Sequence, residues 1–272
     1  MTDIAAIGAV TPRSNTGAGA LNAATMLWFV VTLLGQWVFL YYIAAFYGPP
    51  ALSGNFEAWN QHPMIDRAFR PDDIAASVAF GAHVALALII VFGGMLQLVP
   101  QIRARVAALH RWNGRVFIVA AMLASIAGLY MVWVRGGATG GIVNAIIISG
   151  NALLVLAFGA LAWRAGAARD IASHRRWALR TFMVTNGVFW LRLGFSAWII
   201  ITRQEPDTLT FYVFAAASYL LPLLLLELYF AAKDAGGAAR LAMAGVVFVS
   251  TAYLALGIFG FSMIFVRMIL TA

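Results

Sequence analysis

FVVTLLGQWVFLYYIAAF, residues 29–46, decides the class of fold. It carries no charge, and its apolar residues do not alternate with polar ones. A membrane-spanning strand alternates over about ten residues, so this stretch is no part of a transmembrane barrel and reads as a helix apolar on every side. At 1.5 Å per residue, a helix of this kind with its flanks crosses a hydrocarbon core of about 30 Å.

Six further stretches have the same character, giving spans at about 23–47, 75–99, 116–134, 142–163, 179–201, 210–232 and 241–268. Of the 272 residues, 63% are hydrophobic and 10% charged, with a mean hydropathy of +0.88. Soluble chains are about a quarter charged, so a soluble globule is excluded. The expectation is an all-α polytopic transmembrane bundle of seven spans, one domain over 23–272. The first 22 residues, rich in small residues and containing Pro12 and Arg13, lack the pattern of a cleavable signal and read as a mobile cytoplasmic tail. With no cysteine, the chain has no disulfide, thiolate nucleophile, iron–sulfur cluster or c-type haem attachment.

The net charge of +8 lies in short links between apolar segments, which excludes nucleic acid as its target and points to membrane orientation. One side carries Arg13, Arg103, Arg105, Arg111, Arg115, Arg164, Arg169, Arg175, Arg176, Arg180, Lys233 and Arg240; the other carries Arg67, Arg70, Arg135, Arg203 and Arg267. The bias places the N-terminus in the cytoplasm and the C-terminus outside, in a bacterial inner membrane, with anionic lipids as partners of the basic side. The longest link, 48–73, is an outer loop with Phe56, Trp59 and Phe69, and reads as a segment lying on the head groups or as a cap over a site. Ala120, Ala124 and Gly128 form a small-residue stripe on the third span, which permits close helix packing.

Two basic inner segments repeat each other: HRWNGRVF at 110–117 and HRRWALRTF at 174–182. Each opens an outward helix after an inward one, so spans two and three relate to spans four and five as a parallel repeat. His83, QLVPQIR at 97–103, LHRWNGR at 109–115, SHRRWALR at 173–180 and the pair Leu191 and Arg192 together make the chain resemble a bacterial multipass membrane family, domain of unknown function 2306. The resemblance covers about residues 75–200, with Ala178 where a larger residue is usual. It implies a four-helix core from spans two to five, with spans one, six and seven as additions, and no reaction.

Ionisable residues inside a bilayer are costly and mark candidate sites. His83 lies about 12 Å below the outer start of its helix and Arg192 about 14 Å below the outer end of its own. Asn151 falls at a similar depth, so the three are expected to line one polar pocket in the outer half. No carboxylate shares that level, leaving Arg192 to snorkel, to bond helix carbonyls, or to meet an anionic small molecule or lipid. Glu227, near the inner end of the sixth span, is expected to pair with Arg180 or Arg115 rather than relay protons.

The inner cluster of His110, Arg111, Arg115, His174, Arg175, Arg176 and Arg180 has Trp112 and Trp177 at interfacial depth. Guanidinium groups there suit phosphate or carboxylate, and also set topology. His110 and His174 hold equivalent places in the repeat and have the chemistry of axial ligands to one b-type haem, with the arginines on its propionates. That makes a membrane-embedded redox protein binding b-type haem or quinone the leading functional expectation. The alternative is a non-enzymatic accessory, transport or scaffold protein, one form of which stabilises a larger membrane complex. Asn144 and Asn151 stand where a di-haem arrangement wants further histidines. Zinc hydrolysis fits less well, because His62, Asp66, Asp72, Asp73 and His83 have no short metal-binding spacing. A retinal Schiff base is excluded, since Lys233, the one lysine, sits at a loop edge.

Overall fold

The computed structural model describes residues 16–61, 68–136 and 140–271, with side chains through Val266. The expectations for residues 1–15, His62, Asp66, Arg67 and the Arg267 side chain fall outside the described residues. Helices dominate: α1 (Ala18–Ser53), α2 (Ile74–Leu98), the short α3 (Pro100–Arg105), α4 (Ala107–Trp133), α5 (Gly141–Ala167), α6 (Ile171–Thr185), α7 (Gly187–Thr202), α8 (Thr208–Ala235) and α9 (Gly237–Thr271). Six of these are long and apolar enough to cross a membrane, and α6 with α7, bent by 52° at their junction, makes a seventh where the pair counts as one span. The protein is an integral membrane protein built as a helical bundle.

The first helix begins at Ala18, five residues before the expected boundary, because the alanine-rich start favours helix and Gly17, at φ 75°, forms its N-cap in a left-handed conformation. It also runs on through Pro49 and Pro50 to Ser53. The outer link is therefore shorter than the sequence predicts and contains a 3-10 turn, Phe56–Gln61. Trp59 of that turn is buried: its indole donates to the Tyr47 carbonyl at 3.1 Å and packs on Phe80. Through Trp59 this part of the link is docked on the end of the bundle.

The four core spans pack in chain order, α2 on α4, α4 on α5 and α5 on α6. The bent fifth span is also covered by α8 and α9, and aromatic side chains of α1 reach it. Phe189 and Trp190 of α7 meet Phe39 and Trp28 of α1, and Phe195 meets Phe211 and Phe214 of α8. On the α9 side, Gly257 lies against the Leu193 carbonyl with no room for a Cβ, so that backbone approach requires glycine. The fifth span is thus the axis of the bundle.

Thr-Asn-Gly at 185–187 explains the bend. Asn186 turns its side-chain amide onto the Phe182 carbonyl of its own helix at 2.8 Å, and the Trp190 indole takes the Met183 carbonyl at 3.1 Å. These bonds serve carbonyls at the end of α6, which must be satisfied within the protein at membrane depth. The straight fifth span of the sequence reading is replaced by two helices around a buried asparagine.

Candidate functional site

Spans two and three meet along a seam made by the signature residues. His83 bonds through Nδ1 to the Ala124 carbonyl at 3.2 Å, and the small stripe of α4 makes room for its ring beside Gly128. Lower down, Asn113 donates to the Gly93 carbonyl at 2.8 Å, and Gln97 to the His110 carbonyl at 2.9 Å. Much of the first motif therefore ties α4 to α2.

The second motif does the same work on α5 and α8. His174 bonds to the Ala162 carbonyl at 2.9 Å and rests on Gly166. Arg180 forms a two-pronged pair with Glu227 at 2.6 and 2.8 Å, so Arg180 rather than Arg115 takes that carboxylate. Arg176 reaches Asp234 at 3.3 Å. The repeat extends to a stacking geometry: Arg115 lies over Trp112 at 4.8 Å, and Arg180 over Trp177 at 4.5 Å. Three residues apart on a helix, each pair shares one face.

At this basic end Arg103, Arg111 and His174 are the basic residues in the electrical surroundings of His110. Among the described residues no group meets His110 Nδ1. Arg111 and Arg175 are exposed. A cleft of about 220 Å³ opens beside the cluster, between Arg164, Asp170, Ser173 and Trp177. Among the described residues no group of three or more histidine and carboxylate side chains is placed to hold a metal ion.

The outer pocket expected from His83, Asn151 and Arg192 is divided among different neighbours. His83 faces α4, while Asn151 lies against Gly187 at the bend. Arg192 turns to α1, where its guanidinium lies 5.5 Å from the Phe39 ring centre and 5.9 Å from that of Tyr42, and hydrogen-bonds the Tyr42 hydroxyl. The Tyr42 and Tyr47 hydroxyls are bonded in turn. No carboxylate meets Arg192 among the described residues; the ion pairs there are Arg135 with Asp73, Arg176 with Asp234 and Arg180 with Glu227.

Residues missed by sequence reasoning lie on α1 and at the bend. Gln36 is fully buried and donates through Nε2 to Asn186 Oδ1 at 2.8 Å. A glutamine inside an apolar run and an Asn-Gly pair inside another were the available signals.

Residues 80–230, more than half of the chain, match the family model described as "Predicted membrane protein (DUF2306)". The chain belongs to this family. The DUF2306 match extends 38 residues past Arg192, the last motif residue quoted above, and takes in most of α8, so the family region includes Glu227 with its partner Arg180. It leaves α1 outside, and with it Gln36, Phe39 and Tyr42. No curated protein and no solved structure matches the chain.

Proposed function

We propose that this DUF2306 protein is a non-enzymatic membrane protein that binds an anionic, membrane-soluble ligand through Arg192. The observation that carries the reading is the guanidinium itself. It lies about 15 Å below the end of α7 by helical rise, between aromatic rings and a tyrosine hydroxyl, without a carboxylate. A cation so placed favours an acidic head group whose tail stays in the bilayer. Scintillation proximity binding of radiolabelled oleate to the purified protein tests this. Arg192→Gln is expected to weaken binding at least tenfold, about 1.4 kcal/mol, and His83→Ala to leave it unchanged. Unaltered affinity in Arg192→Gln, or no binding by the wild type, overturns the reading.

The basic end extends the proposal to orientation: that end faces the cytoplasm of a bacterial inner membrane and rests on anionic lipid, in keeping with its excess of arginine. Reporter fusions at the two termini read it directly.

A second reading has its own support. His110 and His174 open the two halves of the repeat, and His174 Nδ1 is engaged by a carbonyl, which leaves its Nε2 for an axial bond to b-type haem. Reduced-minus-oxidised visible spectra of protein expressed with haem precursors test it. Haem bands absent from the wild type, or retained after His110→Ala with His174→Ala, reject it.

A further inference from the structure

The bend between α6 and α7 collects polar atoms that the surrounding packing leaves unserved. Gln36 is fully buried; its Nε2 is spent on Asn186, and among the described residues no group donates to its Oε1. Thr32, one turn earlier on the same face of α1, is 1% exposed, and its hydroxyl has no partner among the described residues. The Thr185 hydroxyl, beside Asn186, and Asn151 Oδ1, on the residue packed against Gly187, are in the same position.

Two hydroxyls at the bend depart from a habit kept elsewhere in this chain. Thr25, Ser125, Thr181, Ser196, Thr251 and Ser262 each donate back to the carbonyl four residues earlier, the usual refuge for a hydroxyl in an apolar helix. Thr32 and Thr185 do not. Gln36 and Asn151 each leave an amide oxygen, which only accepts, while the two hydroxyls both donate and accept. The set carries no charge and calls for a neutral guest that can donate as well as accept. Bulk water does not reach these atoms, and an unserved polar group in the interior of a membrane protein is destabilising.

We propose that the bend is a hydrated binding site, in which ordered water donates to Gln36 Oε1, Asn151 Oδ1 and the Thr32 and Thr185 hydroxyls. Water is the smallest guest with the required chemistry, and buried sites of this kind are where proteins retain it. Discontinuous helices also place polar sites near the membrane midplane. The lining of this site is uncharged, whereas Arg192 offers a guanidinium.

Hydroxyl-radical footprinting of the full chain in nanodiscs tests this, because radicals form at bound water and mark neighbouring side chains. Phe182, Phe189 and Trp190, buried around the bend, are expected to be modified severalfold more than Phe195, which is equally buried among phenyl rings. The excess is expected to fall to the Phe195 level in T32V with Q36L, and in T185V should the first variant fail to fold. Equal modification of all four aromatics in the wild type overturns the proposal. So does an excess that depends on sodium or potassium against choline at equal ionic strength, which would assign the same oxygens to a monovalent cation.

Discussion

Gln36 and Asn186, 150 residues apart in sequence, share a 2.8 Å hydrogen bond in the interior of the bundle. The bond fastens the first span to the bend of the fifth, and both residues are almost wholly buried. Interhelical bonds of this kind contribute about 1–2 kcal/mol in membranes. Gln36→Leu and Asn186→Leu are each expected to lower thermal stability by that order. The double variant should lose less than the sum, the mark of a direct contact. Additive losses in a double-mutant cycle would show that the two side chains act independently.

His83 is a helix clamp. Its ring bridges to the Ala124 carbonyl, and His83→Leu removes that bond while keeping an apolar side chain of similar bulk against α4. A loss of about 1 kcal/mol in stability is expected, with oleate binding at the wild-type level. Lost binding in a folded His83→Leu protein would return this residue to the ligand site.

The apolar runs, the basic links and the paired motifs were legible because each is written in consecutive residues. The partners of Arg192 were not. A search for carboxylates at its depth overlooks Phe39 and Tyr42, which come from a span 150 residues away and from outside the family region. The bend was hidden for another reason: Thr185, Asn186 and Gly187 are outnumbered by apolar neighbours, so an average over the span masks an Asn-Gly turn signal. Depth along a helix also says nothing of which way each side chain faces, so it could not foretell that His83 bonds to α4 while Arg192 turns to α1.

Contact between α7 and α9 depends on Gly257, where any Cβ meets the Leu193 backbone carbonyl. Backbone yields less readily than a side-chain tip, so Gly257→Val is expected to destabilise by at least about 1–3 kcal/mol. Gly245, on the same helix, faces open space, and Gly245→Val serves as the control. Equal melting temperatures for the two variants would contradict the close approach.

Two helix starts carry the acid sensitivity. Bonds from Thr210 hold the Asp207 carboxyl below its ordinary range, and bonds from Ser173 do the same for Asp170. A carboxyl depressed by folding contributes stability above the unfolded value of about 4, and that contribution fades as pH falls through the folded values. Asp207→Asn with Asp170→Asn keeps the caps and removes their titration. The wild type is expected to lose melting temperature below about pH 4 faster than this variant. Parallel curves down to pH 3 would exclude these caps as the source.

The stacked pairs of the repeat differ in what lies beyond the stack. Arg180 over Trp177 also grips Glu227 and so joins α6 to α8, whereas no carboxylate meets Arg115 over Trp112 among the described residues. Glu227 is 42% exposed, so solvent screening holds the ion pair to about 1 kcal/mol. Arg180→Ala adds the loss of packing against Trp177 and Phe230. It is expected to cost more than Glu227→Gln, while Arg115→Ala should remain within about 0.5 kcal/mol of the wild type. In anionic vesicles the order for lipid contact should invert, because the Arg115 guanidinium has no carboxylate to compete with phosphate. Equal losses of vesicle affinity for Arg115→Ala and Arg180→Ala would show that the stack alone, and not the carboxylate, decides which half of the repeat meets lipid.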